Sequence, residues 1–300
     1  MNIAIGIDLG GTKIAGAAFN AQGEQRAQAV HATPDAYEAL VRTCVALVEK
    51  MQSATRVVAT VGIGIPGTVD RDTGVVRAAA NVPCLVGRNL RGDLEAALNR
   101  RVRIANDADC AALSEAVDGA GEGYNNVFGL ILGTGVGGGL VIDGRLVEGA
   151  NGLAGEIGHL PLPFREDSDG AAVDCPCGQK GCIDKSASGP ALSRLYERKT
   201  GQLADAERIA DLARRGDAEA GRVLDVFITT LAKAMIPILH MFDPDVIAVS
   251  GGLANLPHIY DEVPKRWGRY ALRPDIKTRF VPAKHGALSG LRGAAWLGRG

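Results

Sequence analysis

The sequence predicts an α/β protein organised in two units, and three observations carry that prediction. Short apolar runs of strand length alternate with longer stretches whose apolar residues recur at helical spacing. A hairpin of two apolar strands around a glycine-rich turn opens the chain and is repeated in its middle. The 300 residues suffice for about two domains with sizeable cores.

The first hairpin is Ile5-Gly6-Ile7-Asp8-Leu9-Gly10-Gly11-Thr12-Lys13-Ile14-Ala15, whose turn carries an acid, a hydroxyl and a lysine. Tyr37, Leu40, Val41, Cys44, Leu47, Val48 and Met51 then fall at helical spacing and predict an amphipathic helix. A buried strand over 57–65 ends in a Gly-Ile-Pro-Gly turn and is followed by the turn-like Asp70-Arg71-Asp72-Thr73-Gly74. Asn81-Val82-Pro83 sits in a loop, a helix covers 90–98, and a short strand covers 102–105. Asn106 and Asp107 start the next helix, whose apolar face includes Cys110, Leu113 and Val117. A carboxylate there is either an N-cap or a working acid at the strand-to-helix crevice where α/β sheets keep their chemistry.

Residues 119–126 read as a linker, after which Leu130-Ile131-Leu132-Gly133-Thr134-Gly135-Val136-Gly137-Gly138-Gly139-Leu140-Val141-Ile142 repeats the strand, tight turn, strand design. A loop follows over 151–160, then a solvent-exposed turn, Asp167-Ser168-Asp169-Gly170. Helices are predicted over 189–199, 205–214 and 218–241, the last with a bend at Pro237. A strand over 245–249 runs into a third glycine turn, Ser250-Gly251-Gly252. One more helix, a strand near 279–282 and a small-residue helix around 288–297 complete the chain.

Two hairpin loops with bare backbone and threonine hydroxyls suit a polyphosphate, because successive N–H groups form an anion-binding concavity. The plainer alternative is that they are only tight hairpins, and their recurrence favours phosphate. Gly133, Gly135 and Gly138, like Gly62, Gly64 and Gly67, match a dinucleotide fingerprint in letters alone. Neither match opens a helix, and the chain has no G-x-x-x-x-G-K-[ST] loop.

Net charge is −1 without blocks of like charge, which argues against nucleic acid as a main partner. The longest weakly polar run, 127–142, is rich in glycine and too short for a spanning helix, and no signal peptide precedes Asp8. A cytoplasmic protein with no membrane partner is the expectation.

Cys175-Pro176-Cys177-Gly178-Gln179-Lys180-Gly181-Cys182 places three thiols within one short loop. Thiolates at this spacing can wrap a tetrahedral Zn2+, with His159 as candidate fourth ligand; disulfides are the rival, and would leave one cysteine unpaired. Such a zinc would be structural, having no open position for catalysis. Cys44, Cys84 and Cys110 read as small hydrophobic residues.

Asp8-Leu9-Gly10-Gly11-Thr12-Lys13, Asn106-Asp107-Ala108-Asp109, the second glycine hairpin, Gly155-Glu156-Ile157-Gly158-His159 and the cysteine loop occur in the order seen in the ROK family of bacterial sugar kinases, which this chain resembles over nearly its whole length. The resemblance implies an actin-like ATPase (ribonuclease H-like) fold, two α/β domains around a cleft: 1–120, with the helix over 287–300 packing back onto it, and 121–286. It further implies that Gly10, Gly11, Thr12 and Lys13 with Gly133, Thr134 and Gly135 cradle the phosphates of ATP. Asp8 would help hold Mg2+ through water, and Gly251 and Gly252 would lie against the adenosine. Asp107 would be the catalytic base that takes the proton of a sugar 6-hydroxyl. Asn81, Asn106, Asp107, Glu156, His159 and Asp184 would contact the sugar, and relatives suggest a homodimer.

One position departs from the family pattern, which after the last cysteine usually reads Cys-x-Glu; here it is Cys182-Ile183-Asp184. The carboxylate is thereby withdrawn by one methylene, enough to lose or reroute a hydrogen bond to the sugar. Ala80-Asn81-Val82-Pro83 and the second hairpin look most like the N-acetylglucosamine kinase branch. Another hexose, fructose, glucose or mannose, is the runner-up. Some family members are repressors, but those carry a DNA-binding segment ahead of the first phosphate loop, which here begins at Asp8. A non-catalytic scaffold finds support only in Asp184.

Overall fold

The computed structural model describes residues 3–79, 81–256 and 258–299. Ala80, one residue of the branch-like motif, lies outside them. Contacts divide the chain into two units, Met1–Gly123 with Gly139–Gly155 and Ala287–Gly300, and Tyr124–Gly138 with Glu156–Gly286.

The first unit begins with β1 (Ala4–Leu9), β2 (Lys13–Phe19), β3 (Gln25–Ala32) and α1 (Tyr37–Thr55). It continues through β4 (Thr60–Ile65), a small hairpin of β5 (Thr68–Val69) and β6 (Val76–Ala78), α2 (Leu90–Leu98), β7 (Val102–Asn106) and α3 (Asp107–Asp118). The main sheet has the order β3-β2-β1-β4-β7. Strand β1 runs antiparallel to β2 and parallel to β4, which is parallel to β7. Ile5, Ile7 and Leu9 pack with Leu40, Cys44, Leu47 and Met51 of α1, a face of the helix set by its apolar spacing.

The other face of β1 and β4 is lined with glycine because a helix backbone lies directly on it. This helix, α9 (Ser289–Arg299), also packs against α3. A Cβ at Gly6 would come within 2.1 Å of the Leu291 carbonyl oxygen, and one at Gly62 within 2.0 Å of that of Ala294. No side chain fits there.

In the rest of the chain, β8 (Asn126–Leu132) and β9 (Val136–Ile142) form the second glycine hairpin, followed by β10 (Arg145–Leu146). After α4 (Ile183–Ser186), α5 (Gly189–Thr200), α6 (Ala206–Arg214) and α7 (Ala218–Phe242) come β11 (Val246–Ser250), α8 (His258–Trp267) and β12 (Arg279–Pro282). The second sheet, β10-β9-β8-β11-β12, repeats the order of the first, with β11 parallel to both β8 and β12. The 25-residue α7 is apolar and long enough to cross a bilayer, yet most of it is buried in the second unit among α5, α6 and α8. It continues unbroken across Pro237.

Three expectations need correction. The strand over 57–65 starts only at Thr60, leaving Val58 81% exposed. Val117 lies outside the buried face of α3. The turn Asp167–Gly170 is not wholly solvent-exposed: Asp169 is buried, and its carboxylate accepts from Lys233 Nζ at 2.8 Å, from Thr230 Oγ1 at 2.7 Å and from the Glu166 N–H at 2.7 Å. Lys233, fully buried on α7, also donates to Glu166 at 3.0 Å.

Candidate active site and metal centre

In the first unit the candidate residues gather at the carboxyl ends of parallel strands. Asp8 lies opposite Gly64, and Ile65 opposite Asn106, so the ends of β1, β4 and β7 are level. That edge is where open α/β sheets present their ligand sites. The turn after β1 is closed by the Gly10 N–H donating to the Lys13 carbonyl at 2.9 Å and is braced by Thr33, whose hydroxyl donates to the Gly10 carbonyl at 2.6 Å. Gly11, Thr12 and Lys13 are exposed. Asn81 lies against this turn, its carbonyl oxygen 2.8 Å from where a Cβ on Gly11 would sit. Burial pushes the Asp8 carboxyl above its usual range, and Lys13 opposes the shift.

Two acceptors serve one N–H at the start of α3. Asn106 is the N-cap: its side-chain oxygen accepts from the Ala108 N–H at 2.8 Å, and its amide donates to the Gly67 carbonyl at 3.1 Å. Asp107 is the first helical residue, and one of its oxygens accepts from the same N–H at 2.8 Å. Asn106 occupies the N-cap position, and Asp107 shares the same N–H from the first helical position. The thiol of Cys110 is pushed well up, first by burial and then by the fields of Asp109, Asp107, Asp8 and Glu148.

In the second unit, the turn after β8 is closed by the Gly133 N–H donating to the Gly135 carbonyl at 2.9 Å, with Thr134 exposed at its tip. Ser250 at the end of β11 lies opposite Ile131, which brings the Gly251-Gly252 turn beside the hairpin. A Cβ at Gly251, where φ is +91°, would come within 2.2 Å of the Leu132 carbonyl oxygen. Beside Gly252 opens a cavity of about 740 Å³ with Leu224, Ile228, Leu253, Leu256 and Ile259 among its walls. Its size falls in the range of small-molecule pockets.

The three cysteines and His159 converge, their ligand atoms all within 4.8 Å of one another. Cys177 Sγ and Cys182 Sγ are 3.7 Å apart, and Cys175 Sγ is 3.6 Å from His159 Nδ1. A tetrahedral ion with Zn–S bonds of about 2.3 Å separates its sulfurs by roughly 3.8 Å, so this donor set fits zinc. All six cysteines are free thiols, which sets the disulfide alternative aside. A turn made by the Gly178 N–H donating to the Cys175 carbonyl, with Gly178 at φ +89°, curls the loop around the site. The Gln179 N–H brings the Cys177 thiol down to about 7, whereas burial and then Cys177 push Cys182 up to about 12. His159 Nε2, the other ring nitrogen, is 3.9 Å from the Glu156 carboxylate.

The ROK family model matches residues 4–300 of this chain. The chain belongs to the ROK family. This ROK protein is 43% identical over 297 residues to the N-acetyl-D-glucosamine kinase of Vibrio cholerae, covering 97% of this chain and 98% of that one. Among solved structures it is similar to the ROK hexokinase of Thermus thermophilus, with TM-score 0.86, 32% identity and coverage of 98% and 97%. It also resembles a ROK family glucokinase from Streptomyces griseus in complex with glucose and AMPPNP, with TM-score 0.78, 30% identity and 99% coverage of each chain. Its fold is the actin-like ATPase fold, its sheet order written twice.

Asp184 was expected to reach the sugar, but in this ROK protein both carboxylate oxygens are engaged within the chain. Oδ1 accepts from the Val136 N–H at 2.8 Å, and Oδ2 pairs with Lys185 Nζ at 2.8 Å. The cavity beside Gly252 is not legible in the sequence because its apolar walls come from distant segments, Leu224 and Ile228 of α7 and Leu253, Leu256 and Ile259 after β11.

Proposed function

We propose that this ROK protein is an ATP-dependent kinase that phosphorylates the 6-hydroxyl of N-acetyl-D-glucosamine. The observation that carries the reading is Asp107, a carboxylate at the carboxyl end of a parallel strand, on the first residue of α3 beside the Asn106 N-cap. The full-length similarity to an N-acetyl-D-glucosamine kinase supports the choice of sugar.

In this reading Asp107 accepts the proton of the 6-hydroxyl as that oxygen attacks the γ-phosphorus and the bond to the β-phosphate oxygen breaks. Phosphoryl transfer is catalysed chiefly by positioning and charge neutralisation. With the Gly10 and Gly133 N–H groups closing the two turns, the remaining N–H groups and the threonine hydroxyls of Gly10–Thr12 and Gly133–Gly135 hold the phosphates, and Lys13 adds a positive charge. Asp8 would help hold Mg2+, which when bound would supply neutralisation of charge on the transferring group. The Gly251-Gly252 turn and the adjoining cavity take the adenosine. Asn81, Glu156 and His159 orient the sugar hydroxyls. His159, Cys175, Cys177 and Cys182 would hold a structural Zn2+, which would brace the loops carrying His159 and Glu156.

A plain hexose is the second reading, favoured by the hexokinase and glucokinase described above. A coupled ADP-release assay with Mg-ATP across N-acetylglucosamine, N-acetylmannosamine, glucose, mannose and fructose separates the two. Preference for N-acetylglucosamine is expected. Turnover confined to a plain hexose would replace the first reading with the second, and silence on all five would remove both.

A further inference from the structure

We propose that Asp184 is a positioning residue for the second glycine hairpin, transmitting the shape of the cysteine loop to the turn that holds the nucleotide phosphates. The proposal rests on the kinase reading for the role of that turn. Its own basis is the set of contacts converging on Val136.

Val136 is the first residue after the Gly133–Gly135 turn and is gripped from two sides. Its N–H donates to Asp184 Oδ1 at 2.8 Å. Its carbonyl lies under Gly158, where a Cβ would come within 2.0 Å of the oxygen. Asp184 follows Cys182 by two residues, and Gly158 immediately precedes His159, so both grips belong to segments that carry metal-ligating side chains. The hairpin is held a third time where the Gly189 N–H donates to the Gly133 carbonyl at 2.8 Å. Gly135 leaves just enough room: a Cβ there would come within 2.5 Å of Asp184 Oδ1.

Charge makes this arrangement informative. A carboxylate beside a turn meant for polyphosphate would repel its ligand unless neutralised. Here the Val136 N–H occupies one oxygen and Lys185 Nζ, at 2.8 Å, pairs with the other, while the side chain is only 15% exposed. Asp184 is thus fitted to fix backbone, with its charge balanced locally. A loop whose N–H groups must point at phosphates before the nucleotide arrives gains affinity from being held in advance.

The test uses the full-length, zinc-loaded protein with three forms: wild type, Asp184→Ala and Asp184→Asn. Binding of Mg-ADP and Mg-AMPPNP is measured calorimetrically without sugar, and KM for N-acetylglucosamine is measured at saturating Mg-ATP. Asp184→Ala should weaken nucleotide binding about tenfold, the effect of losing one charge-assisted hydrogen bond, while the sugar KM stays within about twofold. Asp184→Asn keeps an acceptor oxygen for Val136 and should recover most of the nucleotide affinity. A raised sugar KM with unchanged nucleotide binding would make Asp184 a sugar ligand and overturn the proposal. So would an asparagine variant as weak as alanine. Amide exchange at Val136 in wild type and Asp184→Asn gives a reading that does not require the alanine variant to fold: slow exchange in both is expected, and fast exchange in wild type overturns the proposal. A wild type that binds nucleotide but phosphorylates no sugar would sink the kinase reading alone.

Discussion

Replacing Lys233 with methionine should destabilise the second unit by about 3–5 kcal/mol, the cost of stranding a buried charge. The lysine side chain is 0% exposed and that of its partner Asp169 is 1% exposed, so no water can replace the lost ammonium. Methionine fills most of the space of the lysine stem, which keeps the cavity contribution small. Asp169 would retain only Thr230 Oγ1 and the Glu166 N–H as donors, at 2.7 Å each.

Urea unfolding followed by circular dichroism should show the midpoint falling by on the order of 2 M, for a slope of about 2 kcal/mol per M. The pH dependence supplies a sharper signature. In the wild type burial raises the Asp169 carboxyl pKa, but the Lys233 bond, the Glu166 N–H and Thr230 outweigh it and hold the group below its usual value. A depressed folded value means that this stability is present above the unfolded value near 4 and is lost as pH falls through the folded one. Without Lys233, burial dominates and the folded value should rise above the unfolded one, so acid relieves the variant. The gap between the two proteins should therefore narrow from pH 7 to pH 4. A loss below about 1 kcal/mol, or a gap independent of pH, would refute the reasoning.

Asp107→Asn should lower kcat by about 10²–10⁴-fold with sugar and nucleotide affinities nearly unchanged, measured by steady-state kinetics and calorimetry. Gly251→Ala must accommodate both φ +91° and a carbonyl oxygen 2.2 Å from the new Cβ; strain of about 1–3 kcal/mol should appear as a lowered melting temperature and weaker Mg-ADP binding. Metal analysis should find one zinc per chain. A strong chelator that removes it should loosen the 175–182 loop, read as increased proteolysis there and recovered by adding Zn2+.

Much of this was legible because glycine and cysteine were informative at the sequence level. Turns that hold phosphate need bare backbone, and thiol spacing limits what a loop can wrap. Helix α2 was legible to the residue, with Leu90, Leu94 and Leu98 forming its buried stripe. Strand β3 was not, because only the small Ala27 and Ala29 face the core, too weak an apolar signal to mark a half-buried strand. The burial of Asp169 was invisible because its partner Lys233 is distant in sequence, on a helix whose apolar spacing does not reveal a buried charge. The Asp184 bond to the Val136 N–H was not legible, because a family pattern orders side chains without showing which atoms they spend on backbone.

The helix that lies on β1 and β4 has a consequence for biogenesis. Strands made first are covered by residues 289–299, made only after Tyr124–Gly286 has emerged. At ~5–20 residues per second, the glycine-lined face of the opening sheet stays uncovered for on the order of ten seconds or more. During that interval only α3, over Gly64, is available to it, and a ribosome stalled before residue 289 would display the part around Gly6 and Gly62 as a handle for chaperones. Assembly of the first unit is thereby deferred until the second has been synthesised.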